Sequence, residues 1–126
     1  MSKEVDVSFL IGSATRDRPP EQFVNKSIDN INEISKSSEY SYEILVISEH
    51  PVSGDNVTWI KEEEYSDGLV GAYNELVPHA NGKYLVYAVD DCFFDDKFYT
   101  AIDLLESYVY NRRNLKLLCM GSDNGL

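Results

Sequence analysis

Two adjacent carboxylates, Asp90 and Asp91, follow directly on the apolar run Tyr84-Leu85-Val86-Tyr87-Ala88-Val89. A buried strand that ends on acidic side chains delivers them to the edge of a sheet. Hard cations such as Mg2+ or Mn2+ take oxygen ligands there, often one or two protein carboxylates completed by diphosphate oxygens. Neighbouring side chains on extended backbone point opposite ways. One aspartate is then placed to accept from a ribose hydroxyl while the other holds the metal. A bare Asp-Asp reads more simply as a solvated turn before a helix, with Asp95 or Asp96 as an ordinary cap. The buried strand in front of it, opened by Gly82-Lys83, moves the reading to function.

Other chemistry is thinner. Arg16 and Arg18 stand in a polar segment, Ser13 to Arg18, where guanidinium groups suit diphosphate charge. As solvated loop arginines they are equally well explained. Thr15 offers a hydroxyl or its backbone to a nucleotide. His50 and His79 have no cysteine or histidine at metal-ligand spacing and read as surface residues. Cys92 stands beside two acids that disfavour its thiolate, so a nucleophilic role is not expected. Cys119 reads as core. The Lys61-Glu62-Glu63-Glu64 run is a solvated face, and Gly68-Leu69-Val70-Gly71 does not follow a strand directly, so it is no dinucleotide fingerprint. No Walker A and no G-x-S-x-G sequence is present.

The elements that must position these groups alternate. Val5 to Ile11 reads as a first strand ending at Gly12. Pro19-Pro20 is expected to open a helix whose stripe is Val24, Ile28, Ile31 and Ile34, with Glu21 at its positive end. Tyr42 to Ile47 is a second buried strand and Val57 to Ile60 a short third one, separated by turn residues 50–55. Lys61 to Asp67 is an acidic loop. Leu69, Ala72, Tyr73, Leu76 and Val77 have helical spacing, with Gly82 expected as the stop. Tyr84 to Val89 is the fourth strand. Phe98, Ile102, Leu105 and Val109 stripe a third helix, and Leu115 to Met120 is a fifth strand. Buried strands alternating with striped helices predict an α/β domain over residues 1–126, with a mostly parallel sheet and helices on both faces. Ligands of such sheets bind beyond the carboxyl ends of the strands, which points to Gly12–Arg18, Ser48–His50 and Asp90–Phe94.

Length and charge bound the rest. The chain has 126 residues, 43% of them hydrophobic, enough for one core. A formal charge of −11 disfavours nucleic acid and anionic membrane partners. No apolar stretch approaches the ~18 residues of a spanning helix, and Met1 to Asp6 holds no signal-like apolar region. Two cysteines make no disulfide framework, and a reduced cytoplasmic setting is expected.

Four stretches in this order resemble the nucleotide-binding half of family 2 glycosyltransferases, which have the GT-A fold. Val7 to Arg16 is similar to the opening V-S-I-I-I-P-T-Y-N-R strand and loop, and Tyr42 to Glu49 to the E-I-I-V-V-D-D strand. Gly68 to Asn74 is similar to G-L-x-x-A-R-N, and Ala80 to Asp91 to A-x-G-E-Y-I-x-F-L-D-x-D. The sequence departs from the pattern at Gly12 for proline, Ser48-Glu49 for Asp-Asp, Tyr73 for arginine, and Asp90-Asp91-Cys92 for D-x-D. The resemblance implies a nucleotide-diphospho-sugar donor, most simply of uridine type, held by Ser13, Ala14, Thr15, Arg16, Glu49 and Asp90. It implies Mn2+ or Mg2+ on Asp91. The family's acceptor-binding half, which supplies the catalytic base, has no counterpart before Leu126, so the acceptor and the base stay open.

Two readings follow, with a third of a different kind. The chain is a glycosyltransferase domain, or a nucleotide-sugar binding module or fragment without turnover. The third is a flavodoxin-like signalling domain in which Asp90-Asp91 is incidental. The first two require the first strand to lie between the second and the fourth. The early stop relative to the family also implies apolar surface around Leu115 to Met120 and possible homo-oligomers.

Overall fold

The structure is a computed structural model that describes residues 4–15, 17–62, 68–95 and 97–111. Val5–Ser13 forms β1. It runs past the apolar stretch because Gly12 and Ser13 stay paired with Ile47 and Ser48 of β2, Tyr42–Ser48. β3 is Val57–Lys61 and β4 is Gly82–Val89. The four strands form one sheet in the order β3-β2-β1-β4, every neighbouring pair parallel. The first strand therefore lies between the second and the fourth, as the sequence leads one to expect, in the order of Rossmann-like α/β sheets. The expected fifth strand with Cys119, as well as Arg16, Asp96 and residues 63–67, falls outside the described residues.

The described residues hold three α-helices, α1 (Val24–Ser35) between β1 and β2, α2 (Gly68–Leu76) between β3 and β4, and α3 (Phe98–Asn111) after β4. Alternation along the central strands sends side chains to opposite faces. Leu10, Leu45 and Ile47 meet Ala72 and Leu76 of α2 in one buried cluster, edged by Ile60, Tyr73 and Ala80. Phe9, Ile11, Ile44 and Val46 fill the other face and are equally buried. On that face Tyr42 donates its hydroxyl hydrogen to Asn32 Oδ1 of α1, and Phe9 meets Tyr42 and Phe94 edge-on. The two helices thus cover opposite faces, which is why β1 and β2 read as continuous apolar runs. Each large side chain buried this way contributes about 1.5–3 kcal/mol.

Two local expectations are corrected. Helix α1 begins at Val24 rather than at Pro19-Pro20. Residues 19–23 instead form turns, with Gln22 N–H on the Pro19 carbonyl at 3.0 Å and Asn25 N–H on the Pro20 carbonyl at 2.8 Å. Phe23, out of helical conformation at φ −125° and ψ −85°, resets the ladder and frees its ring for another contact. Gly82 does not stop a helix but opens β4. Helix α2 already ends at Leu76, in a 3-10 turn over Val77–His79, because Pro78 has no N–H to continue the ladder. Gly82 is needed for space: a Cβ there would stand 2.5 Å from Ser8 Oγ. Its N–H donates to that hydroxyl at 2.8 Å. Ser8 in turn donates to Glu43 Oε2 at 2.5 Å, and the same oxygen accepts the Asn81 N–H at 2.7 Å. This node ties the beginnings of β1, β2 and β4 together.

The chain forms two compact units, Met1–Phe94 and Asp95–Leu126. The sheet, α1 and α2 belong to the first. In the second, Asp95 Oδ1 accepts the Lys97 N–H at 2.9 Å and the Asp95 carbonyl the Phe98 N–H at 3.1 Å, a turn that leads into α3 without a side-chain bond from Asp95 to a helical N–H. Phe98 and Ile102 of the α3 stripe are buried and Leu105 half-buried; the Val109 side chain lies outside the described set. Among the described residues, no helix is long and apolar enough to cross a membrane.

Candidate functional site

From β1 the chain leads through α1 to β2 on one side of the sheet, whereas β4 lies on its other side. The carboxyl edge between β1 and β4 is therefore the point at which strand order reverses, the place where open α/β sheets take ligands. Gly12 and Val89 are register partners, so the next residues, Ser13 and Asp90, come side by side. Ser13 Oγ donates to Asp90 Oδ2 at 2.8 Å. Asp90 is only 4% exposed.

A tight turn brings a cation onto this edge. The Ala14 carbonyl accepts the N–H groups of Asp17 and Arg18 at 3.0 and 2.9 Å, which folds Arg18 back over the strand ends. Arg18 Nε donates to Asp90 Oδ2 at 2.8 Å and Oδ1 at 3.1 Å. Nη2 reaches Asp91 Oδ2 at 3.3 Å. The guanidinium lies 3.8 Å from the centroid of the Phe23 ring, which is what the late start of α1 makes possible. Hydrogen bonding to Asp90 raises the Arg18 pKa above its ordinary value, and the charges of Asp90 and Asp91 add to this. Two carboxylates thus share one guanidinium and carry a net charge of −1. Two adjacent aspartates facing separate partners were expected; in the structure both meet Arg18.

A second arm organises the end of β2. Thr15 Oγ1 donates to Glu49 Oε1 at 3.1 Å and accepts the His50 N–H at 3.0 Å. Ser48 Oγ donates to the His50 carbonyl at 2.7 Å and accepts from Trp59 Nε1 of β3 at 2.9 Å. Glu49 is thereby held toward the loop that follows β1. A third set fixes the segment after Asp91. Ser27 Oγ donates to the Cys92 carbonyl at 2.7 Å, and Asn30 pairs with the Phe94 backbone through both its side-chain atoms. Burial pushes the Cys92 thiol pKa up, and the Asp91 charge pushes it the same way, against the thiolate a nucleophile needs.

The edge therefore gathers Ser13, Thr15, Glu49, Asp90 and Asp91. Ala14, also at this edge, is exposed, and its carbonyl serves the turn. Arg16 lies outside the described residues. The bridging position of Arg18 and the support from Ser48, Trp59, Ser27 and Asn30 had no sequence signal, because each depends on contacts between distant parts of the chain.

No family model, curated protein or solved structure matches the chain. The site itself bears on what it can hold. Among the described residues there is no group of three or more acidic, histidine or cysteine side chains able to enclose a metal ion. Asp91, 59% exposed at its side chain, is a single hard oxygen donor at the open edge. One such carboxylate would hold Mg2+ or Mn2+ only together with other oxygens, such as those of a ligand's phosphates. A separate groove between α1 and residues 53–55 is lined by Asn25, Asp29, Asn32, Ser53 and Asp55. It shares no residue with the strand-end cluster.

Proposed function

We propose that this chain is the donor-binding part of a GT-A-like enzyme of the family 2 glycosyltransferase type, binding a nucleotide-diphospho-sugar at the carboxyl edge of β1 and β4. The observation that carries the reading is the strand order β3-β2-β1-β4 with Ser13 and Asp90 joined at its reversal point. Around that point stand a hydroxyl loop, a glutamate at the end of β2 and an exposed aspartate.

In this reading Glu49, positioned by Thr15, meets the base, of uridine type. Asp90 presents its remaining acceptor capacity on Oδ1 to the ribose, and its contacts with Ser13 and Arg18 keep it in place. Asp91 holds Mn2+ or Mg2+, which when bound supplies charge neutralisation for the leaving diphosphate. Ser13, Ala14 and Thr15 line the nucleotide's path. Exposed Leu85 and Tyr87 on β4 offer a surface for self-association.

Calorimetric titration with UDP, with and without Mn2+, tests this. UDP binding is expected only with the metal, since a free diphosphate meets a site of net charge −1 on a chain of −11. Asp91→Asn is expected to abolish that binding with little change in stability, as an exposed carboxylate contributes little to the core. Equal binding with Mn2+ and with chelator, or an unchanged Asp91→Asn, would overturn the reading. Release of UDP from a UDP-sugar when acceptors are added separates transfer from binding alone.

A further inference from the structure

Arg18 lies where a cation serving Asp90 and Asp91 would act. Its bond to Asp90 is the closer one, 2.8 Å from Nε to a buried carboxylate, and it is backed by Ser13. Its bond to Asp91 is the longer one, 3.3 Å from Nη2 to an exposed carboxylate. The two halves of the bridge are therefore unequal. One end is anchored in the sheet edge and stacked on Phe23; the other is a solvent-exposed contact of the kind that contributes little.

We infer that Arg18 is an exchangeable counter-ion that couples metal binding to diphosphate binding, its Nε staying on Asp90 while its Nη2 leaves Asp91 for a phosphate oxygen. The inference rests on the functional reading above and adds the residue that controls it. The argument is one of charge. A divalent cation arriving alone competes with Arg18 for Asp91 and returns the released N–H to water in place of a charged acceptor. A diphosphate arriving alone meets the net negative pair. When both arrive, Asp91 passes to the cation and the planar guanidinium, still fixed at Nε, donates to phosphate, an anion its geometry suits. Each ligand then raises the affinity for the other, and linkage requires the two factors to be equal.

Lysine at position 18 keeps a positive charge for Asp90 but loses the fork that reaches Asp91. Titrations of Mn2+ with and without UDP, and of UDP with and without Mn2+, are run on the parent chain, Arg18→Lys, Arg18→Gln and Asp91→Asn, with melting curves for each. In the parent, UDP is expected to raise Mn2+ affinity by about tenfold or more, within the usual range of a coupling between sites. In Arg18→Lys, Mn2+ alone is expected to bind several-fold more tightly than in the parent, and the enhancement by UDP to shrink by a similar factor. Arg18→Gln, which leaves buried Asp90 without its cation, melts lower; Arg18→Lys keeps the test readable if that variant does not fold. An unchanged enhancement in Arg18→Lys, or weaker binding of Mn2+ alone, overturns the inference while leaving the functional reading intact. Metal-dependent UDP binding that survives in Asp91→Asn overturns both.

Discussion

At the scale of single residues, the site is built from unequal neighbours. Asp90 and Asp91 are adjacent in sequence, yet one is buried against Ser13 and the other open to solvent. The pair was legible because an apolar strand ends on it. The Arg18 bridge was not, since the two partners lie 72 positions apart in the chain and meet only through the turn at Ala14. Cys92 gives a pH-dependent check. Its thiol and the Tyr73 hydroxyl both have pKa values raised by burial, so folding favours their neutral forms. Their contribution is complete below the ordinary thiol value near 9.0 and is lost as pH rises through the folded values. Denaturant midpoints are expected to fall between pH 8 and pH 10, and to fall less in Cys92→Ala. On a Cys119→Ser background, Asp91→Asn is expected to speed alkylation of Cys92, because it removes one of the causes of the raised thiol pKa. A slower or unchanged rate would show that Asp91 does not govern this thiol.

At the scale of elements, periodicity located the four described strands and the two helices of the first unit, but not their ends. The apolar runs of β1 and β2 report burial on two faces, whereas the equally apolar run of β4, expected to be a buried strand, is half-exposed, with Leu85 and Tyr87 open to solvent. Start signals failed where tertiary contact overrode them. Pro19-Pro20 is a good helix opening by local rules, yet Phe23 leaves helical geometry and lies against Arg18. Gly82, read as a helix stop, is instead required by the approach of Ser8. Gly82→Ala is therefore expected to destabilise the chain by about 1–3 kcal/mol, the usual cost of crowding a packed position. The N–H to Ser8 and the Glu43 node behind it would be strained together. Urea denaturation measures this directly, and a neutral result would show that the strand beginnings accommodate a methyl group without loss.

At the scale of the whole molecule, the strand order decides where a ligand can sit and the charge decides what it must bring. The order β3-β2-β1-β4 reverses direction between the paired strands β1 and β4 and places Ser13 and Asp90 side by side at their carboxyl ends. Under the proposed reading, a chain of net charge −11 is expected to bind an anionic nucleotide there only in company with a cation. A separate acidic groove, containing Asp29 and Asp55, lies between α1 and residues 53–55, so site and charge can be separated by experiment. Paramagnetic broadening of amide resonances by Mn2+ in the presence of UDP is the most direct measurement. Broadening centred on Ser13–Thr15 and Val89–Cys92, and lost in Asp91→Asn, is the predicted result. Broadening centred on Asp29 and residues 53–55, or unchanged in Asp91→Asn, would contradict a donor site at the reversal point of the sheet.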